Sequence, residues 1–303
     1  MVVGPLLCLL SAAGFGAMAI FGKLSYDEGI GVGDLLLIRF ALAAAALTAV
    51  AGASGVLRGL PRRGLVAGLA MGAIGYATQA GLFFGALERM DASLLALILY
   101  VYPALVLVGA VVLGRERASA RRVAALVIAL AGVALVLAGA ASGSLDALGT
   151  AMGFGSALAY TIYILCGDRV GAGVPPLALA ALVCVGATGT FAVASLFHGG
   201  PELGYGAEGW LWLGAMALVS TVGAILTFFA GLARVGPSAA SILSTVEPVV
   251  TVALAAAVFD ESLGAVQLAG GALVLGAVVV MQWPGARQAP ARSETPALAY
   301  GGH

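Results

Sequence analysis

Residues 91–116 read DASLLALILYVYPALVLVGAVVLGRE, and residues 237–262 read PSAASILSTVEPVVTVALAAAVFDES. Each is an apolar run long enough to cross a bilayer, which takes roughly 20 helical residues. Each is interrupted near its middle by a proline, Pro103 or Pro248, and a glutamate follows 13 residues later, Glu116 or Glu261. One shift of 145 residues superimposes the two stretches, and it also carries Ser11 onto Ser156, Gly22 onto Gly167, Gly64 onto Gly209 and Met71 onto Met216. Phe83 and Phe84 fall on Phe228 and Phe229, Arg89 on Arg234 and Ser93 on Ser238. The matches keep their order without a gap along about 105 residues, so the chain carries an internal repeat.

Outward from these stretches the same pattern of long apolar runs continues. With 62% hydrophobic and 9% charged residues among 303, against roughly a quarter charged in a soluble domain, the chain cannot build a water-facing surface. Its 45 glycines suit helices that approach closely inside a bilayer. Ten runs cover approximately residues 4–24, 33–53, 64–86, 93–113, 122–140, 147–167, 175–197, 210–233, 238–258 and 264–283. The first has no positively charged leader and is read as a retained helix. The fold class is therefore all-α integral membrane, with ten spans in two repeats, 1–140 and 141–283. Residues 284–303, rich in Pro, Gly and Ala, are expected to form a disordered tail.

Five spans per repeat is an odd number, so the second repeat must enter the membrane from the opposite side. Inverted repeats are characteristic of secondary transporters, whose sites lie near the midplane between the halves. Eleven basic residues (Arg58, Arg62, Arg63, Arg115, Arg117, Arg121, Arg122, Arg169, Arg234, Arg287 and Arg292) fall on one side, and only Lys23 and Arg89 on the other. The positive-inside rule then puts both termini in the cytoplasm, which for an inner (plasma) membrane protein fixes the orientation of every loop.

The paired proline motifs and the two five-span halves resemble the drug/metabolite transporter superfamily, EamA type, and within it the YddG-like amino-acid exporters. The resemblance covers about residues 4–283 and implies a secondary transporter of a small metabolite, most directly an exporter of amino acids. It also implies a central cavity lined by spans 1, 3, 4, 6, 8 and 9, with the fifth span of each half outside it. Cationic drugs or other metabolites of the same superfamily are the alternative cargo; a structural subunit or lipid scramblase is the alternative from another class.

Charge inside a span marks function by default, and only Arg39 and Glu247 lie well inside. At 1.5 Å per residue Glu247 stands near mid-depth and Arg39 roughly 9 Å below the outer boundary, within reach of one another. Two readings follow: an intramembrane ion pair joining two helices, or Glu247 as a cavity carboxylate for an amino group or a proton. Pro103 and Pro248 free the carbonyls of Leu99 and Ser244 and are candidates for kinks that gate the pathway. Tyr102 and Glu247 precede the prolines at equivalent positions and should face one axis. Tyr100, about 200° away from Tyr102 on a regular helix, should not face it squarely as well.

Tyr76 and Gln79 share a face of the third span, and Ser156, Tyr160 and Tyr163 a face of the sixth. With Ser244 they complete the candidate substrate-binding set: Tyr76, Gln79, Tyr102, Tyr160, Tyr163, Ser244 and Glu247.

Cys8, Cys166 and Cys184 have neither disulfide nor zinc spacing, and no metal, cofactor or nucleic-acid partner is expected. Tyr26-Asp27 and Gly31-Val32-Gly33-Asp34 imitate the motifs of intramembrane aspartyl proteases. Yet these aspartates sit in one loop, where they cannot share a proton within the membrane, so no enzyme is expected. The expected partners are the lipid bilayer and a small-molecule substrate; a monomer would suffice.

The topology is tested by labelling single cysteines placed in the loop after Arg58 and in the loop after Pro201. They should react from opposite sides of the membrane, and reaction of both from one side would disprove the ten-span reading.

Overall fold

The computed structural model describes residues 2–115, 120–140, 146–170 and 173–282. Among these residues all regular structure is helical. Ten helices follow in order: α1 (Val3–Asp27), α2 (Val32–Ala53), α3 (Arg62–Leu87), α4 (Ala92–Val112), α5 (Ala120–Ala140), α6 (Ala147–Val170), α7 (Pro176–Leu196), α8 (Ala207–Val235), α9 (Pro237–Ser244 and Glu247–Phe259) and α10 (Ala265–Gln282). Every expected span has its helix, with ends displaced by a few residues. Eight are long and apolar enough to cross a membrane; the apolar parts of α5 and α10, Val123–Gly139 and Ala265–Val280, are shorter. The expected tail after Trp283 lies outside the described residues.

The helices pair across the two repeats rather than within them. The first helix of each repeat packs on the third of the other, α1 on α8 and α6 on α3, while α2 lies along α7 and α5 along α10. The interhelix contacts are therefore symmetric, and the core is shared by both halves. Small residues permit the closest approach. A Cβ added at Gly132 of α5 would stand 2.7 Å from the Gly270 carbonyl oxygen, and one added at Gly270 of α10 would stand 2.5 Å from that of Gly132. In lipid, where apolar side chains gain little from leaving the hydrocarbon, such backbone proximity supplies the dispersion contact that joins helices.

Four helices are irregular in symmetric pairs, while α1 is interrupted at Ala17 with no counterpart in the continuous α6. α4 breaks between Leu99 and Tyr102, and α9 between Ser244 and Glu247, each with its proline at the start of the second piece. α3 and α8 widen into π-helical turns at Met71–Tyr76 and Leu218–Gly223. Such turns leave backbone groups off the regular ladder and frequently mark functional sites.

An exposed helical glycine changed to alanine ordinarily stabilises slightly, because it removes backbone freedom from the unfolded chain. Gly270→Ala should do the reverse. Overpacking against Gly132 should cost about 1–3 kcal/mol, seen as a lower melting temperature of the purified protein. Gly276→Ala on the same helix, where an added Cβ meets nothing within 4 Å, should not destabilise.

Candidate functional site

The irregular helices enclose a cavity of about 600 Å³. Its wall includes every residue of the sequence-derived substrate set: Tyr76, Gln79, Tyr102, Tyr160, Tyr163, Ser244 and Glu247. Pro248 also lines it, whereas Pro103 does not. Helices α1, α3, α4, α6, α8 and α9 contribute as the resemblance implied. So do α2, through Arg39, and α7, through Pro176, Leu179, Ala180, Val183 and Cys184. Among the described residues none of α5 or α10 reaches the wall.

A continuous series of aromatic rings starts behind the cavity wall at Phe191 and Phe40 and runs along the wall from Tyr76 to Tyr100. Phe191 stacks on Phe40 (5.8 Å between centroids), Phe40 meets Tyr76 edge-on (5.5 Å), and Tyr76 meets Tyr163 (5.5 Å). Tyr163 stacks on Tyr160 (6.1 Å), Tyr160 meets Tyr102 (4.6 Å) and Tyr102 meets Tyr100 (5.8 Å). Rings at these separations gain from edge-to-face and offset contact and hold one another's orientation. Beside them Gln79 Nε2 donates to Ser156 Oγ at 3.1 Å, and the Ser156 hydroxyl donates back to the Gln79 carbonyl at 3.2 Å. This reciprocal pair fixes α3 to α6, so Gln79 meets its partner in the protein while its side chain borders the cavity.

Two sequence expectations change. Tyr100 and Tyr102 both line the cavity, because the helix is interrupted at Tyr100 and Val101 and the angular spacing of a regular helix no longer applies there. The interruption also gives Tyr100 its role. Pro248 cannot donate to the Ser244 carbonyl; the Tyr100 hydroxyl does so instead, at 2.8 Å, with Glu247 Oε2 3.4 Å away. The freed carbonyl of one repeat is thus met by a side chain of the other. Ser244 turns its own hydroxyl back to the Ala240 carbonyl at 3.0 Å.

The second change concerns charge. Arg39 and Glu247 both line the cavity, yet no ion pair within 4.0 Å joins them. Arg39 Nε donates to Thr221 Oγ1 at 3.0 Å, in the π-helical turn of α8. Its guanidinium carbon lies 4.8 Å from the Phe40 ring centroid and 5.3 Å from that of Phe84. The widened turn presents Thr221 as an acceptor to α2, and that contact draws the arginine away from α9.

In the protease-like motif the Tyr26 hydroxyl donates to the Phe84 carbonyl, and Asp34 accepts the Tyr205 hydroxyl, both at 2.8 Å. Among the described residues no three His, Cys, Asp or Glu side chains gather as a metal site would require.

The sequence profile of the EamA-like transporter family matches twice, over residues 2–138 and 147–283. The chain belongs to the EamA-like transporter family. It is a multi-pass membrane protein of a family that transports small molecules. No curated protein matches the sequence. A solved crystal structure, 20% identical, resembles this EamA-like transporter with a TM-score of 0.67, over 91% of this chain and 95% of that one. That likeness is one of fold.

Sequence reasoning gave no role to a cluster at the end of the bundle where α1 finishes and α4 begins. Lys23 Nζ lies 2.7 Å from Glu261 Oε1, which also accepts the Ala92 N–H at 3.0 Å. Glu261 Oε2 accepts the Ser93 N–H at 3.0 Å and its hydroxyl at 2.8 Å. One carboxylate, just beyond α9, thus caps α4 and binds α1. The signal was present in the repeat, since Glu261 is the partner of Glu116, but only the fold shows which helix start it meets. Burial would raise the Glu261 pKa; the hydrogen bonds from Lys23, Ser93 and Ala92 outweigh it and hold the carboxyl below its ordinary value.

A carboxyl with a lowered folded-state pKa stabilises fully above its unfolded value and loses that contribution as pH falls through the folded one. Glu261→Gln should therefore cost about 1.5–3 kcal/mol at neutral pH, and the deficit relative to the parent should vanish in acid. Melting curves of both proteins from neutral pH downward test this; a pH-independent deficit would count against the carboxylate.

Proposed function

We propose that this protein is an inner-membrane secondary transporter that exports small metabolites, amino acids foremost, by alternating access between its two repeats, with both termini in the cytoplasm. The observation that carries the reading is Glu247. It stands in the wall of an aromatic-lined cavity at mid-membrane, and no Lys, Arg or His among the described residues lies within 4.0 Å of it. A desolvated carboxylate is unfavourable without a proton or a cation beside it, and a substrate ammonium supplies one. Tyrosine faces around it favour the same cation. Sugar phosphates would call for several basic side chains, and among the described residues the cavity wall offers only Arg39.

The ends of the cavity support alternation. Its wall reaches Val174 and Pro176 at the Arg-rich end, while Lys23, Glu261 and Ser93 tie α1, α4 and α9 at the other. On the proposed topology this is a state loaded from the cytoplasm, and release outward requires the Glu261 cluster to part. Pro248 keeps the Ser244 carbonyl available to Tyr100; alanine there would offer it an N–H from within α9 and stiffen the kink. Cationic drugs remain the second reading, because Glu247 and the aromatic series suit an organic cation without a carboxylate equally well.

Uptake into proteoliposomes, screened over amino acids, nucleosides, sugar phosphates and cationic drugs, tests the assignment. Amino acids should move, and a reconstituted protein that moves no solute would overturn it. Glu247→Gln should remain folded and lose flux about 10- to 100-fold, as expected for one charge-assisted contact; a stable and fully active variant would remove Glu247 from transport. Pro248→Ala should fold normally and carry substrate several-fold more slowly, and wild-type flux would separate the kink from the mechanism.

A further inference from the structure

Among the described residues Arg39 is the largest of the fully buried side chains, 1% exposed, and it lines the transport cavity. A guanidinium has five N–H donors and no acceptor capacity. Nε is satisfied by Thr221, but Nη2 is buried with no hydrogen-bond partner among the described residues. Among the described residues no carboxylate stands within 4.0 Å to balance the charge. The faces of Phe40 and Phe84 attract the cation, yet they cannot accept the in-plane fork of hydrogen bonds that a guanidinium presents. Removing a charge from water without a paired anion is costly, and the protein places that cost on the wall of its substrate cavity.

We propose that Arg39 is the carboxylate-binding residue of the cavity, so that the transported molecules carry a monoanionic carboxylate. The proposal rests on the transport reading above and narrows its cargo. An α-amino acid would set its carboxylate on Arg39 and its ammonium on Glu247, two opposite charges that the fold holds in one cavity without pairing them. A single guanidinium suits a carboxylate taken through two parallel N–H···O bonds; a dianionic phosphate would leave one negative charge unmatched. Thr221 acts as a positioning residue: its hydroxyl accepts from Nε and donates to the Met216 carbonyl at 3.0 Å, which orients the donor fork.

The test is ligand-dependent thermal stabilisation of the purified full-length protein at neutral pH. Phenylalanine, 2-phenylethylamine and 3-phenylpropanoate are compared, with leucine, isoamylamine and 4-methylpentanoate in parallel. In the wild type the amino acid of a series should bind about 10- to 100-fold more tightly than its amine, as loss of one charge-assisted contact predicts. Arg39→Gln should abolish that preference and leave amine affinity unreduced. Arg39→Lys, which keeps the charge without the fork, should retain a weakened preference. The wild-type comparison needs no variant, so it decides even if Arg39→Gln does not fold.

Amine and amino acid binding alike to the wild type would overturn the Arg39 site while leaving an amine-directed transporter standing. Acids that bind in an Arg39-dependent way, without their amino acids, would uphold the site and sink the amino-acid cargo. Unchanged carboxylate preference in Arg39→Gln, or no stabilisation of the wild type by any of the six, would overturn the proposal.

Discussion

Inside a hydrocarbon layer a backbone carbonyl without a donor has no water to turn to, and the interior of this protein is organised around that constraint. Pro248 takes away the donor that α9 would have offered to Ser244, and the Tyr100 hydroxyl supplies the replacement from the other repeat. Tyr100 can do so because Pro103 has already opened α4 beside it. The two prolines are thus coupled: one creates the vacancy, and the irregularity produced by the other delivers the side chain that fills it. A cavity bounded by these segments thus has a polar wall in which Tyr100 satisfies the Ser244 carbonyl.

The same irregularity gives the helices separate tasks. α5 and α10 are continuous, cross closely at Gly132 and Gly270, and stay off the cavity wall. The broken α4 and α9 and the π-containing α3 and α8 contribute to that wall together with α1, α2, α6 and α7. Because α1 packs on α8 and α6 on α3, the proposed rocking of the repeats against one another would slide helices from opposite halves past each other. Glycines at these contacts leave little side-chain interlock to undo, as where an added Cβ at Gly231 of α8 would meet Cys8 of α1.

Much of this was legible in the sequence because its signals are local or periodic. Twenty-residue apolar runs mark spans, and a constant shift pairs Pro103 with Pro248. Spacing along a helix gathered Tyr76 with Gln79, and Tyr160 with Tyr163. Interactions governed by departures from regular helix were not legible. Tyr100 was set aside by an angular argument that the break at Val101 invalidates. Arg39 was offered to Glu247 by depth, and depth carries no information about the π-helical turn that brings Thr221 within 3.0 Å. Glu261 lies beyond the end of α9, where hydropathy is silent about which helix start a carboxylate will cap.

The few charges near the bilayer fall into two kinds, and the difference bears on how such a protein can work. Lys23 and Glu261 are engaged with each other and with the start of α4, where the proposed reading places the outer closure. Among the described residues Arg39 and Glu247 have no ionic partner although they share a cavity. Had they met, the pair would have neutralised the interior and removed the electrostatic incentive for a polar solute to leave water. With Arg39 bonded to Thr221 and Glu247 beside the Tyr100 hydroxyl, the two border one cavity without pairing. On the proposed reading a dipolar solute relieves both at once, and its departure restores the unfavourable empty site, so neither the bound nor the empty state need be a deep trap.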